Sequence, residues 1–274
     1  MIGIVSIVLP THKRPNFLRK AIESALFQNY KDIELLIIND ASSDETSEII
    51  AQYAKTDGRI TEIKNEKQLG LARSLNRGIQ QAKGLYIARL DDDDFWSDAR
   101  KLEKQVKFLE THPEYILVGA GQIRIDEKGN ERMRYLFPET DEQIRKVILL
   151  NNPFAHTSVL FRKNAWKNAG GYDENLDFSE DWDLWMRFGK IGKLYNLQEY
   201  VVTYLQSNQN RSNFNVQANA RLNLNLRRKY QKDYPHFWKG FLIGLGAYVL
   251  SLPIVYLLRS RLLQNLSYWK ISRR

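Results

Sequence analysis

Strand-like runs that alternate with helices in the first ninety residues most constrain the fold of this chain. The runs are Gly3 to Leu9, Ile33 to Ile38, Ile60 to Lys64 and Leu85 to Leu90. Most are continuously apolar and β-branched, which is typical of strands buried on both faces. Because strands that alternate with helices form a sheet covered on both faces, the sequence predicts an α/β fold with a Rossmann-like, mostly parallel sheet.

The second half of the chain has a mixed pattern. Extended segments are expected at Tyr115 to Ile125, onward to Phe137, at Thr157 to Phe161 and at Leu194 to Leu205. Helices are expected at Glu139 to Leu150 and at Asp181 to Phe188. In the first half, Ser42 and Glu45 are spaced as a capping box that would open a helix ending near Lys55.

The charge of the chain is unevenly distributed. Residues 1–203 contain 29 basic and 31 acidic residues, whereas residues 204–274 contain twelve basic residues and one acid, Asp233. We therefore expect two parts, a folded main domain over residues 1–206 and a basic helical C-terminal extension over residues 207–274. The absence of cysteine excludes disulfides, thiolate metal ligands and a cysteine nucleophile.

The extension contains an uncharged run from Phe241 to Leu258, which Lys239 precedes and Arg259 follows. Eighteen residues are close to the minimum for a membrane-spanning helix. A buried core helix and a segment lying in a membrane interface are equally weighted alternatives. The basic flanks favour contact with an anionic membrane surface, and Pro253 weakens the hypothesis of a span.

Four consecutive acids, Asp91 to Asp94, follow the fourth strand-like run. Carboxylates at a strand end repel one another unless a cation is present, and oxygen ligands suit a divalent ion such as Mn²⁺ or Mg²⁺. An acidic cap for the next helix is the alternative, but it accounts for one or two of the four acids. Ligands of open α/β sheets bind at this end of the strands.

Three further motifs lie at a strand end, in a loop and at a helix start. Asp40 ends the second strand, where its carboxylate is suited to accept hydrogen bonds from a base or a ribose. Helix capping by Ser42 and Glu45 explains the residues that follow, and the two interpretations are compatible. Pro10 to Pro15 leads into a helix N-terminus, where anions bind, but it has no glycine-rich phosphate cradle. Glu180, Asp181 and Trp182 begin a helix; a carboxylate among aromatic residues is a good general base, and helix capping is the alternative.

The order of these motifs resembles the family-2 glycosyltransferases with the GT-A fold, over about residues 3–205. The resemblance rests on the acidic and glycine-containing motifs in sequence order, from Pro10-Thr11-His12 and Asn39-Asp40, through Asn65, Gly70, Asn76 and Asp91 to Asp94, to Asn152-Pro153, His156, Gly170-Gly171-Tyr172-Asp173 and Glu180 to Trp185. The segment Tyr204 to Arg211 departs from the family pattern, in which an Arg and a His follow the last strand.

The resemblance implies a site for a nucleotide-sugar. Pro10, Thr11 and Arg14 would line the base and ribose, Asp40 would hold the base, Asp91 would contact the ribose, Asp93 would bind the metal and Asp181 would be the general base. The same resemblance adds the remaining candidates, which are Asn65, Gly70, Asn76 and Asp92 for the donor, and His156, Glu180 and Trp182 for the acceptor or an unassigned role.

We therefore expect a metal-dependent inverting glycosyltransferase, of the hexosyltransferase type, that uses a UDP-sugar and a glycan or lipid-linked acceptor in cell-surface polysaccharide synthesis, such as lipopolysaccharide. The expected location is the cytoplasmic face of the cell membrane, with peripheral or monotopic attachment. A nucleotidyltransferase and a non-catalytic nucleotide-sugar-binding protein are the alternatives. No nucleic-acid partner is expected, because the acids Asp91 to Asp94 would repel phosphates.

Overall fold

A computed structural model describes residues 3–207 and 215–252. Its first half alternates strands and helices, as the sequence predicts. The strands are β1 (Val5–Thr11), β2 (Ile33–Asn39), β3 (Ile60–Lys64) and β4 (Tyr86–Arg89), and the helices are α1 (Pro15–Leu26), α2 (Thr46–Thr56) and α3 (Leu71–Gln81). Every residue of β1 is buried, as expected for a strand covered on both faces.

These four strands pair in parallel in the order β3-β2-β1-β4. Their carboxyl ends therefore lie along one edge of the sheet, where Thr11, Asn39 and Arg89 end their strands. The loops that carry the sequence motifs leave from this same edge, so the parallel half of the sheet gathers them together.

The second half extends the sheet with strands of both directions. Its elements are β5 (Phe95–Trp96), α4 (Lys101–Thr111), β6 (Tyr115–Ile125), β7 (Glu131–Tyr135), α5 (Asp141–Val147), β8 (Leu160–Arg162), α6 (Lys163–Asn168), α7 (Glu180–Phe188) and β9 (Lys193–Leu205). β8 joins β4 and β6 in antiparallel pairs, while β6 and β9 are parallel. The expected α/β fold is confirmed, with a parallel first half and a mixed second half.

Two local expectations differ from the structure. Helix α2 begins at Thr46, whose backbone N–H donates to Asp44 at 3.1 Å, so Ser42 and Glu45 do not form a capping box. Ser42 instead accepts a hydrogen bond from the Lys13 N–H, which joins two loops. Residues 156–158 form a 3₁₀ turn rather than a strand, because the Ser158 N–H and hydroxyl both donate to the Ala155 carbonyl.

A second compact unit contains residues 146–151 and the described part of the C-terminal region. Its helices are α8 (Val216–Lys229) and α9 (Phe237–Ser251). Arg227 of α8 is buried and donates to the carbonyls of Leu149 and Leu150, both at 2.9 Å. A Cβ on Gly240 would lie 2.2 Å from the Leu149 carbonyl oxygen, so glycine permits this close approach of α9.

Helix α9 is apolar along most of its length. Trp238, Leu242, Leu245 and Val249 recur at helical spacing and are exposed, Trp238 at 73% and Leu242 at 64%. Within residues 3–207 and 215–252, no helix is both long and apolar enough to cross a membrane. Residues 253–258 of the uncharged run lie outside the described part of the chain.

Lys101, at the start of α4, is fully buried. Its Nζ donates to Gln105 at 2.8 Å and lies 4.0 Å from the centre of the Trp96 ring. Burial holds the pKa of Lys101 well below its usual value, because the charged amine has lost its water. Below pH 10.5 the unfolded chain therefore binds a proton at this position that the folded chain does not bind until lower pH.

We predict that Lys101→Met flattens the pH dependence of stability. As pH rises from the lowered pKa of the folded chain towards 10.5, the wild-type free energy of unfolding gains up to about 1.4 kcal/mol per pH unit from this proton, and the variant lacks that gain. Chemical denaturation at pH 7, 8, 9 and 10 measures the difference. Lys104→Met is the matched control, because ion pairs with Asp98 and Glu199 raise the Lys104 pKa; equal slopes for wild type and Lys101→Met would contradict the prediction.

Candidate nucleotide-sugar and catalytic site

Asp91 to Asp94 form a tight turn at the carboxyl end of β4. The Asp94 N–H donates to the Asp91 carbonyl, and the Asp91 N–H donates to the Thr157 hydroxyl at 3.3 Å. The side chain of Asp94 points inward and accepts from the Leu205 N–H at 3.1 Å. Asp92 and Asp94 are buried, whereas Asp91 and Asp93 remain partly exposed. The turn therefore presents Asp91 and Asp93 to a ligand and anchors itself with Asp94.

Two arginines compensate part of this negative charge. Arg14 forms an ion pair with Asp93 and lies 3.7 Å from Asp92, and Arg89 donates to Asp91 at 2.6 Å. Burial nevertheless raises the pKa of Asp92 to about 7. It also raises the pKa values of Asp93 and Asp94, to which the neighbouring carboxylates add. The turn thus holds more negative charge than its surroundings stabilise.

This surplus of carboxylate oxygen fits a hard divalent cation. Among the described residues, no group of three or more His, Asp or Glu side chains is arranged as a metal site. Mg²⁺-type ions at nucleotides use one or two carboxylates and complete their shell with phosphate oxygens and water. Asp93 is partly exposed and can supply such a ligand, so the donor set agrees with the expectation of a cation at this turn.

The loop after β1 lies against the loop after β2. Pro10 and Thr11 are buried at the end of β1, and the Thr11 carbonyl accepts from the Asp40 N–H at 2.9 Å. His12 Nδ1 donates to the Asp40 carbonyl at 2.7 Å. Arg14 is partly exposed and bridges from this loop to Asp93. Of the residues expected here, Arg14 therefore has the side chain most available to a ligand.

Asp40 is the centre of a buried hydrogen-bond cluster. Its carboxylate accepts from Asn65 Nδ2 at 2.7 Å, from the Leu69 N–H at 2.8 Å and from the Gly70 N–H at 2.9 Å. Gly70 has a φ of +87°, which glycine adopts without strain, and it directs the chain into α3. Asp40 and Asn65 thus hold the loop of residues 65–70, and their contact with a base stays a prediction.

Asn76 is buried and fixes a second loop. Its side chain donates to the Tyr172 carbonyl at 2.9 Å and accepts from the Tyr172 N–H at 2.8 Å. Gly170 and Gly171 precede Tyr172 with φ values of +83° and +76°, so the turn needs glycine at both positions. Asn76 therefore positions Tyr172, and a direct contact with the donor stays a prediction.

Helix α7 presents Asp181 from its first turn. Asp181 is partly exposed and accepts from Asn152 Nδ2 at 2.6 Å and from the Trp182 N–H at 2.7 Å. Burial raises its pKa, which these two hydrogen bonds and the charge of Arg89 oppose. A carboxylate whose pKa is raised is a stronger base, so Asp181 is suited to accept a proton.

The remaining candidates differ in accessibility. Glu180 and Trp182 are buried, so their side chains contribute to the interior beside Asp181. His156 is partly exposed, and its Nε2 shares a 2.8 Å hydrogen bond with the Tyr172 hydroxyl. Its ring lies 5.8 Å from the Trp185 ring centre. The structure therefore places His156 at the rim of the site and Glu180 and Trp182 behind it.

The sequence motifs are brought together, but three contributors were not assigned from the sequence. Asn152 orients Asp181, Tyr172 contacts His156, and Arg89 contacts Asp91. Asn152 and Tyr172 lie within motifs that supported the family resemblance. The position of Arg89 in the sequence did indicate a role, because a charged residue at the end of a strand expected to be buried on both faces needs a partner of opposite charge.

The structure thus combines the acidic turn after β4 with a separate carboxylate, Asp181, at the start of α7. The model of the family described as Glycosyl transferase family 2 matches residues 6–169, and the chain belongs to that family. The putative glycosyltransferase EpsE of Bacillus subtilis is 41% identical over 71% of this chain and 70% of its own length. The amylovoran biosynthesis glycosyltransferase AmsE of Erwinia amylovora is 34% identical over 69% and 70%.

Solved structures agree on the fold. TarS of S. aureus in complex with UDP-GlcNAc superposes with a TM-score of 0.67 at 15% identity and covers 91% of this chain and 81% of its own. The mannosyltransferase PcManGT of Pyrobaculum calidifontis, in complex with GDP-Man and Mn²⁺, gives 0.68 at 16% identity and covers 96% and 81%. The fold is the GT-A fold, as expected, and the protein is a glycosyltransferase rather than a nucleotidyltransferase.

We predict that Asp40→Asn destabilises the loop of residues 65–70. An amide has one acceptor oxygen, and its N–H₂ would oppose one of the N–H groups that Asp40 now receives, which costs about 1–3 kcal/mol of the unfolding free energy. Denaturant unfolding measures the loss. Asp44→Asn is the control, because Asp44 is exposed and accepts hydrogen bonds from the neighbouring Thr46; an equal loss in both variants would contradict the role given to Asp40.

Proposed function

We propose that this glycosyltransferase moves a sugar, with inversion, from a nucleoside diphosphate donor to a hydroxyl group of a glycan or lipid-linked acceptor. The observation that carries the proposal is the pair of separate acidic groups at one sheet edge, the Asp91–Asp94 turn and Asp181. The buried Tyr172 lies within electrostatic range of both Asp91 and Asp181. One group suits the charged donor, and the other suits the acceptor hydroxyl.

Two fold relatives support a nucleotide-sugar donor. TarS was solved with UDP-GlcNAc and PcManGT with GDP-Man. In this chain Arg14, Gly70, Asp91 and Asp93 are partly exposed at the sheet edge, so they have access to a donor. We favour a UDP-hexose, with the base and ribose along the loops after β1 and β2.

Transfer by this site is a single displacement. Asp181 accepts the proton of the acceptor hydroxyl as its oxygen bonds the anomeric carbon. The bond from that carbon to the diphosphate oxygen breaks, and its electron pair leaves with the nucleoside diphosphate. Because the hydroxyl attacks opposite the leaving group, the configuration inverts and no enzyme nucleophile is needed. Asn152 keeps the Asp181 carboxylate oriented by its 2.6 Å hydrogen bond.

We further propose that the enzyme depends on Mn²⁺ or Mg²⁺ held by Asp93. A divalent cation would compensate the charge that develops on the departing diphosphate. The uncompensated charge of the Asp91–Asp94 turn supports this assignment, and so does the Mn²⁺ present in the PcManGT complex.

The C-terminal region and one relative support our proposals for the acceptor and the location. AmsE is named for amylovoran biosynthesis, and we propose a related role for this chain in cell-surface polysaccharide synthesis. The exposed apolar face of α9, together with exposed basic residues such as Arg221, Arg228 and Lys232, fits the surface of an anionic membrane. Each basic residue near such a surface contributes about 1 kcal/mol, so we place the enzyme at the cytoplasmic face of the cell membrane.

Asp181→Asn tests the general base. The amide keeps the shape of the side chain but cannot accept the proton, so transfer should fall by about 10²–10⁴-fold while donor binding is retained. Nucleoside diphosphate release and calorimetry with the same donor measure the two properties. Asp173→Asn makes the same change on the loop before α7 and should leave both unchanged; parallel loss of binding and turnover in Asp181→Asn would indicate a structural role instead.

Asp93→Ala tests the metal site. The variant should lose the Mn²⁺-dependent part of donor binding and should fold as well as the wild type without metal, because removing one of four crowded carboxylates relieves repulsion. Calorimetry with and without Mn²⁺ and thermal unfolding measure these effects. The control is Asp126→Ala, in the exposed turn before β7. Unchanged Mn²⁺-dependent binding in Asp93→Ala would show that the cation is held elsewhere.

Leu242→Glu with Leu250→Glu tests the membrane surface. The full chain should bind vesicles containing phosphatidylglycerol, less tightly as salt rises, and the double variant should bind at least about tenfold more weakly. Vesicle co-sedimentation measures this. Phe27→Glu, at an exposed residue of the first unit, is the control. Binding by the double variant equal to that of the wild type would refute an interfacial role for α9.

A further inference from the structure

Arg89 is the last residue of β4 and is one of the largest fully buried side chains, with 1% of its surface exposed. The other residues of the strand, Tyr86 to Ala88, are apolar. A guanidinium buried at this depth is strongly unfavourable unless nearby negative charge compensates it. Its presence at the edge of the site therefore needs a reason beyond the packing of the strand.

Hydrogen bonding alone does not supply that reason. Arg89 Nη2 donates to Asp91 Oδ1 at 2.6 Å. Its Nε and Nη1 are buried and have no hydrogen-bond partner within residues 3–207 and 215–252. An arginine kept for structure normally uses its fork of donors, as Arg162 does with the carbonyls of Tyr115 and Leu109.

Two carboxylates lie within electrostatic range of this guanidinium, Asp91 in the turn after β4 and Glu180 at the start of α7, and the phenol of Tyr172 in the glycine turn, which burial keeps neutral, is also near it. Burial lowers the pKa of Arg89, but the nearby negative charge outweighs it, with Asp91 contributing most, so the net shift is upward and Arg89 stays charged. The charge of Arg89 also lowers the pKa of Asp181. Arg89 thus contacts the donor-side acid and lies within electrostatic range of the base.

The groups around Asp181 leave Arg89 as its main compensating charge. Asn152 and the Trp182 N–H contact Asp181 but are neutral, and the Tyr172 hydroxyl, within electrostatic range, is bound to His156. Glu180, next to Asp181 on α7, is another acid. Among these groups Arg89 carries the positive charge that opposes protonation of Asp181.

We propose that Arg89 is a positioning residue of this site: its guanidinium holds the Asp91 carboxylate in place and balances the negative charge of Asp181. The proposal rests on the proposed function, in which Asp91 contacts the donor and Asp181 is the base. Arg89 itself is buried too deeply to touch a ligand. It acts through both carboxylates at once, and so couples the donor side of the site to the acceptor side.

The test compares Arg89→Gln with Arg89→Lys in the full chain. Carbon-13 NMR of labelled aspartate carboxylates gives the titration midpoint of Asp181 without donor, and Asp181→Asn identifies its signal. Arg89→Gln should raise that midpoint by about one pH unit, a tenfold change in the equilibrium, and should move the acidic limb of kcat equally. Arg89→Lys keeps the charge and should leave the midpoint close to that of the wild type.

The donor side gives a second, independent readout. Both variants lose the guanidinium fork that fixes Asp91, so the KM for the donor should rise severalfold in each, measured by nucleoside diphosphate release from UDP-GlcNAc and GDP-mannose. Arg162→Gln is the matched control, because it removes another arginine of the sheet, whose hydrogen bonds within the described residues go to the carbonyls of Tyr115 and Leu109. It should lower thermal stability without shifting the Asp181 midpoint or the donor KM.

An unchanged Asp181 midpoint in Arg89→Gln, or equal midpoints in the Gln and Lys variants, would overturn the proposal. If Arg89→Gln does not fold, an Arg89→Lys variant with wild-type donor KM overturns it, and one with a raised donor KM and a wild-type midpoint supports it. The proposed function fails separately, through an Asp181→Asn variant that still transfers sugar. The NMR midpoint needs no turnover, so the two failures are distinguishable.

Discussion

Concentrated negative charge at one edge of the sheet is the constraint on which the rest of this site depends. Four carboxylates follow β4, and Glu180 and Asp181 begin α7. The described structure places Arg14 and Arg89 against the turn, one from the loop after β1 and one from the interior. Burial still raises the pKa values of Asp92, Asp93 and Asp94. Carboxylates in this condition would be stabilised by a divalent cation, and this supports the proposed role of Asp93 at a diphosphate leaving group.

The loops around this charge are held by buried amides and carboxylates rather than by apolar packing. Asp40 accepts three hydrogen bonds from the loop of residues 65–70, and Asn76 exchanges two with the backbone of Tyr172. Such contacts are directional, so they fix where a loop lies more narrowly than apolar contacts do. Buried Asp and Asn residues, which indicate ligand binding in a sequence, can therefore act by holding the loops that line the site.

The strands of the first half could be predicted because a strand buried on both faces leaves a continuous apolar run, as in β1 and β2. The α/β fold and the position of the acidic turn follow from that pattern. The capping box at Ser42 was wrong because short polar side chains bond whichever N–H lies nearest, and here that N–H belongs to Lys13. Local spacing does not encode such contacts between loops. The roles of Asn65 and Asn76 were hidden for the same reason.

Helix α9 combines buried glycines with large apolar side chains that are exposed. Gly240 and Gly244 form its buried stripe, where a Cβ on Gly244 would lie 3.1 Å from Arg227 Nη1 and on Gly240 would meet the Leu149 carbonyl. Small residues thus let α9 approach polar backbone and a guanidinium, contacts that large apolar side chains would block. The large apolar side chains of α9 consequently point away from its own unit. The proposed contact with an anionic membrane surface rests on this exposed apolar face and on the basic residues of α8 and the chain around it.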